Sequence, residues 1–159
     1  MIKELNTFKN DLKAYRINGI FRIIWNLLTS SGLEAVLLYR IQNYFERTKK
    51  IPIAKLISRL NHKRNGIDFV VGSKIDSGLV IRHPSGVVIG NSVIAGKNLT
   101  ILSSVVLGQK GINFSHYNDG NPTIGNNVTI GAHSIVLGAI KIADGVVVKA
   151  NSLVLQDLY

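Results

Sequence analysis

Cysteine is absent, which removes disulfide frameworks and thiolate zinc sites from consideration and suits a reducing compartment. Acidic residues are scarce: nine Asp and Glu stand against 19 Lys and Arg, a formal net charge of +10. No apolar run reaches the length of a membrane span, because Asn18, Gly19, Arg22 and Asn26 interrupt Ile17 to Leu28. Met1 to Lys13 is mixed and polar, without the apolar centre of a signal peptide. The expected location is therefore the cytoplasm. What is present is a folded chain's composition, 46% hydrophobic and 18% charged over 159 residues, enough to bury a core.

The positive charge is uneven. Residues 1–66 carry 13 of the bases and four of the acids, whereas residues 67–159 carry six and five. A basic end on a neutral body argues against nucleic acid, which favours charge along the whole binding surface. Two readings of that end compete. One is an ordinary solvated helical face whose apolar side covers the rest of the protein. The other is contact with an anionic membrane surface, at its cytoplasmic face, since Lys3, Lys9, Lys13, Arg16 and Arg22 alternate with Ile17, Ile20, Phe21, Ile24 and Trp25.

The sequence changes period near residue 67. Stepping by six from Val71 meets Ser77, His83, Ile89, Ala95, Ile101 and Leu107, while a companion series reads Ile75, Ile81, Val87, Val93, Leu99 and Val105. A second block reads Ile124, Ile130, Val136, Ile142, Val148 and Val154. Six is the period of neither an α-helix nor a simple strand. It fits a short strand plus a corner, stacked so that like residues meet from coil to coil, with Gly or Asn at the turns. Three hexads per coil give a β-helix of four coils. Residues 1–66 lack the period: Leu27 to Phe45 reads as a helical stripe broken near Ser30–Ser31–Gly32, and Pro52 to Leu60 as another helix. The organisation expected is a basic helical segment over 1–66 and a β-helix over 67–159, from which a polar loop protrudes at 109–121. The chain stops at Tyr159 on the last residue of a hexad, as a truncated chain would.

His83 occupies a slot that is elsewhere aliphatic or small. A lone histidine is ordinarily a satisfied structural residue. Asp68 comes 15 residues earlier, one 18-residue coil away and three residues out of step, so contact is permitted without being required. If they meet, the carboxylate orients the imidazole, and the other ring nitrogen takes a proton from an acceptor hydroxyl. No serine nucleophile with a base stands out, which favours direct transfer. His62 reads as solvated, His116 as a loop residue placed either to contact substrate or to face water, and His133 as outward-facing. No histidine pair has metal-ligand spacing, and no metal is expected.

Gly66–Ile67–Asp68, then Gly78 through Gly90, and Pro122 through Ala132 resemble the core of bacterial serine acetyltransferases, as does Val148 to Asp157. The resemblance covers about residues 66–158. It implies a left-handed β-helix, a homotrimer, and acetyl-CoA as co-substrate bound between neighbouring coils. It also implies His83 as catalytic base with Asp68 as its partner. Gly131, Ala132 and Ala150 match positions near the coenzyme groove, and Gly108 borders it. Two departures stand out. The family's aspartate before the base is Arg82 here, and its Arg-His pair after the loop is Gly120–Asn121. A cation does not replace a carboxylate that holds an ammonium group. On that ground the expectation is an O-acetyltransferase acting on a sugar hydroxyl of a surface polysaccharide, similar to the colanic acid enzymes, with Arg82, His116 and Asn121 toward an acidic acceptor. Serine O-acetylation for cysteine synthesis is the alternative, and a non-catalytic trimeric scaffold the third reading.

Overall fold

The computed structural model describes residues 2–111 and 120–159. Four helices come first: α1 (Ile2–Ala14), α2 (Ile20–Thr29), α3 (Ser31–Arg47) and α4 (Ile51–Asn65). The polar start thus forms a helix, whose Leu12 is buried and whose Phe8 packs beside it. Ser30 explains the break in the following stripe. Its backbone is extended, and its hydroxyl accepts a hydrogen bond from the Leu33 amide, the geometry of a helix N-cap. α2 and α3 accordingly meet at a bend of 99°. Pro52 sits in the first turn of α4, where its missing N–H costs nothing, and Gly66 ends the helix in the left-handed region at φ 67°.

Thirteen short strands follow among the described residues, each contributing to one of three parallel sheets. The first face stacks β1 (Asp68–Phe69), β4 (Val88–Ile89), β7 (Val106–Gly108), β10 (Ile135–Leu137) and β13 (Leu153–Val154). The second stacks β2 (Lys74–Ile75), β5 (Ile94–Ala95), β8 (Thr123–Ile124) and β11 (Lys141–Ile142). The third stacks β3 (Val80–Ile81), β6 (Thr100–Ile101), β9 (Thr129–Ile130) and β12 (Val147–Val148). Consecutive strands never pair; each bonds to the strand three places on, which is the connectivity of a parallel β-helix. The second residue of every strand points inward, and an aliphatic residue two places earlier often joins it: Ile81 with Leu79, Ile89 with Val87, Leu107 with Val105. Each fully buried side chain of this kind contributes roughly 1.5–3 kcal/mol.

The register departs from strict period six twice. Thr123 stacks on Ile94, so one coil is 29 residues long and carries the inserted loop. Val88 stacks on Asp68 and Ile94 on Lys74, so the first coil is 20 residues long, not 18. The extra two residues fall between Ile81 and Ile89. This corrects the expectation for His83: it occupies no inward slot, and lies exposed on an enlarged corner.

The first coil would leave an open edge, because β1, β2 and β3 have no strand on their outer side. The helices cover it with side chains that satisfy its backbone groups one by one. The Tyr39 hydroxyl donates to the Ser73 carbonyl at 3.0 Å and accepts from the Ile75 amide at 3.1 Å. The Tyr15 hydroxyl does the same at Ile81, donating to its carbonyl and accepting from its amide at 2.9 Å each. Gln42 and Ser58 both donate to the Phe69 carbonyl. Between these, Arg40 donates to the Ile75 and Asp76 carbonyls at 2.7 Å, while Asp11 Oδ1 accepts from the Gly78 and Leu79 amides at 2.7 and 2.9 Å. Arg40 and Asp11 are themselves joined by two hydrogen bonds, and both are buried. Gly32 permits this close seating, since a Cβ there would lie 2.1 Å from the Ile81 carbonyl oxygen.

Removing Asp11 leaves a buried guanidinium without its counter-charge and two amides without an acceptor. Asp11→Ala is expected to cost about 3–5 kcal/mol in urea unfolding; a loss below ~1 kcal/mol would mean that this pair does not hold the helices on. Burial pushes the Tyr15 phenol well above its usual value of 10. Its contribution is therefore complete below that pH and declines as alkali ionises the unfolded chain. Tyr15→Phe should lower stability at neutral pH and flatten its further decline above pH 10, read from melting temperature against pH.

Candidate active site

The corner joining β3 to β4 is the enlarged one, and it carries Arg82 and His83, both exposed. His83 adopts a left-handed backbone at φ 59°. Positive φ is itself ordinary along this edge of the prism, since Gly86, Ser104, His133 and Asn151 share it on successive coils. Those four repeat as stacked corner residues: the Ser104 amide donates to the Ser85 carbonyl, His133 to Ser103, and Asn151 to Ala132. His83 is extra to that series. It lies in the two inserted residues and is thrust outward while Pro84, buried behind it, accepts from the Val87 amide at 3.1 Å.

Asp68 begins β1, half-buried, with its amide on the Val87 carbonyl and its Cα opposite Val88. The fold thus brings Asp68 and His83 to adjacent coils at one corner. No hydrogen bond or ion pair joins them among the described residues, and the corner is open to solvent. The same edge carries Ala132 on the third coil and Ala150 on the fourth, so three of the residues tied to the coenzyme by resemblance follow β9 and β12 where His83 follows β3. Gly131 has a packing reason of its own, because a Cβ there would lie 2.5 Å from the Ala150 nitrogen. Gly108 ends β7 at the opposite edge of the first face, its carbonyl accepting from the Gly138 amide. A shallow groove of about 410 Å³, lined by Lys110, Leu137, Gly138 and Leu155, lies at this edge beside the root of the loop.

Asn121 is turned inward. Its amide donates to the Ser92 hydroxyl at 2.5 Å and it fills the space that Gly90 leaves open, so it fixes the return of the loop and presents no side chain to an acceptor. His116 lies outside the described residues. His62 and His133 are exposed. Among the described residues no three His, Asp or Glu side chains gather as a metal site requires. A cavity of about 550 Å³ between α1, α3 and β2 is larger than the groove but lies at the helical end, lined by Arg40, Asn43 and Glu46 and not by His83.

Comparison with known proteins bears on this geometry. Residues 121–156 match the family described as bacterial transferase hexapeptide (six repeats). A serine acetyltransferase from Helicobacter pylori is 39% identical over 132 residues, 83% of this chain and 75% of that protein. The chain belongs to the serine acetyltransferase family. A relative from Staphylococcus epidermidis with the same name shares 39% identity over 83% of this chain and 61% of its own length. Among solved structures, the soybean serine acetyltransferase apoenzyme superposes with a TM-score of 0.89 at 30% identity, over 99% of this chain and 64% of that one. The chain therefore spans three quarters of the Helicobacter relative but less than two thirds of the staphylococcal and soybean ones. The fold is the left-handed parallel β-helix that the resemblance implied, an exception to the usual right-handed crossover.

These relatives correct the expected acceptor. A sugar hydroxyl rested on two local departures, Arg82 and Gly120–Asn121, whereas similarity to proteins named for serine runs over 83% of the chain. The structure supplies the reason those departures misled. Arg82 stands on an exposed corner that core packing does not constrain, and Asn121 is occupied in holding the loop's return. The colanic acid likeness has no support among these relatives.

Gly131 offers a test of the edge itself. Gly131→Ala is expected to destabilise the protein by about 1–3 kcal/mol, measured by thermal unfolding, because its methyl group meets backbone and not a movable side chain. An unchanged melting temperature would mean that the stacked corners can part without cost.

Proposed function

We propose that the protein transfers the acetyl group of acetyl-CoA to the side-chain hydroxyl of serine. The observation that carries this reading is the 39% identity, over 132 residues, to a protein of that name. The corner geometry supports it. In this reading His83 takes the proton of the serine hydroxyl as its oxygen attacks the thioester carbonyl. The carbon–sulfur bond then breaks, and the imidazolium returns the proton to the departing thiolate, giving O-acetylserine and the free coenzyme. Asp68 stabilises the imidazolium between the two steps. Ala132 and Ala150 on the same edge leave the backbone accessible to the extended arm of the coenzyme, and Gly108 borders its path.

Arg82 takes a different part from the acidic residue that the resemblance puts at this position. Its guanidinium, beside the base and exposed, suits the serine carboxylate, which it can grip with two parallel hydrogen bonds. The assembly we propose is a homotrimer. The first face turns Val88, Ile135 and Leu153 outward, a ladder of exposed aliphatic side chains that a like copy would cover. His83 lies at the border of that face, so a neighbouring subunit would close the corner that stands open in the single chain.

Release of the coenzyme thiol tests the acceptor. With acetyl-CoA present, serine is expected to drive thiol release and O-acetylserine to accumulate; a folded protein inert toward serine would overturn the assignment. His83→Ala should lower turnover at least ~100-fold with the melting temperature unchanged, and Asp68→Asn should fall less. Light scattering at micromolar concentration should give three times the chain mass, and a monomer there would remove the shared site.

A further inference from the structure

The helical end carries a surface that the acetyl-transfer reading does not use. Of the apolar residues at α2, Ile17, Ile23 and Leu27 turn inward against Leu12 and Leu33. The rest do not. Ile20, Phe21, Ile24, Trp25 and Leu28 are 63%, 86%, 50%, 67% and 78% exposed, and no residue of α2 is fully buried. Spacings of three and four residues put these five side chains on one side of the helix. Such a patch on a ten-residue helix is far more than scattered exposed residues explain.

Charge identifies what covers it. Lys9, Lys13, Arg16 and Arg22 are exposed around this patch, and among the described residues none of them is ion-paired. The acids of the helical segment are engaged elsewhere. Asp11 is buried against Arg40, Glu4 bonds Arg47, Glu34 bonds Arg64, and Glu46 accepts from the Gly72 amide. A second copy docking through the same face would set these cations against each other. A surface of anionic headgroups over acyl chains complements both features, with cations at the headgroups and aromatic and aliphatic side chains below them. Spanning is not the mode: no single helix is long and apolar enough to cross a membrane, and the bent α2–α3 pair contains the buried Arg40.

We propose that α2 is an in-plane membrane anchor that docks this protein on anionic lipid through Phe21, Ile24, Trp25 and Leu28, with Arg16 and Arg22 at the headgroups. This rests on the helical end alone and stands whether or not serine is the acceptor.

Trp25 is the only tryptophan in the chain, so its emission reads the contact directly. The full chain is titrated with vesicles of phosphatidylcholine containing phosphatidylglycerol, and with phosphatidylcholine alone. The expected result is a blue shift and co-sedimentation with the anionic vesicles at low salt, weakened by added salt. Arg16→Ala with Arg22→Ala should weaken binding about thirty-fold, and Phe21→Ser with Leu28→Ser should abolish it at unchanged molecular mass and melting temperature. Emission that ignores anionic vesicles at low salt overturns the proposal. So does a blue shift that appears without lipid as protein concentration rises, which would assign the face to a second copy.

Discussion

Everything downstream of residue 66 depends on how the first coil is closed. A parallel β-helix has no partner for the outer edge of its first strands, and an exposed edge both frays and recruits other chains. Here α1 and α3 seal it by supplying side chains at the positions where a further coil would have supplied backbone. The buried Asp11–Arg40 pair is the centre of that seal: each member binds the other, and each also binds backbone groups that nothing else reaches. Burying two charges is costly unless every remaining donor and acceptor is met. The hydrogen-bond set around them meets that condition, which fixes the helices in one orientation and the coil in one register.

From that fixed end the coils propagate by repetition, and repetition leaves little room for chemistry. Inward positions are committed to the core, and most corner residues are committed to stacking, as Gly131 is against Ala150. Chemistry enters where the repeat is broken. The two-residue enlargement between Ile81 and Ile89 puts His83 outside the stacked series, and the long coil between Ile94 and Thr123 puts out a loop from the far edge of the same face. One rigid face therefore separates the two irregular features. A like subunit laid against it can bring one chain's loop edge toward another's histidine edge, so the proposed site needs assembly and not only folding.

The repeat was legible because the physics of stacking writes itself into every sixth residue, and the second block from Ile124 to Val154 carries it without a fault. The first block concealed its fault. Counting by six from Val71 lands on Ile89, Ala95 and Ile101, while the companion series runs from Ile75 through Ile81 to Val87 and Val93; both look regular, although the inward series passes from Ile81 to Ile89. Aliphatic residues at both positions, Val87 and Ile89, absorbed the two-residue shift, and His83 consequently read as an inward residue. The seal was illegible for a different reason. Asp11, Tyr15, Tyr39 and Arg40 are scattered through helices whose composition reads as a solvated basic face, and only tertiary contact shows that they meet one coil edge. Asp68 and His83 could be paired from spacing and resemblance, but whether their side chains meet is not a property that spacing determines.

The acceptor is the instructive error, because it shows how evidence divides between scaffold and site. Substituting a cation for a carboxylate beside the base is a sound reason to doubt that an ammonium group sits there. It is not a reason to doubt the whole substrate, since serine offers a carboxylate as well as an amine, and either charge can be the one that is gripped. Arg82 is free to move between such roles because its corner is exposed and makes no contribution to the core. A residue under those constraints reports on how a ligand is held, while the remaining 39% identity, distributed over 132 residues, reports on which family's chemistry is being supported. Weighing one corner residue against that extent of similarity required knowing that the corner is structurally unconstrained, and that knowledge came only with the fold.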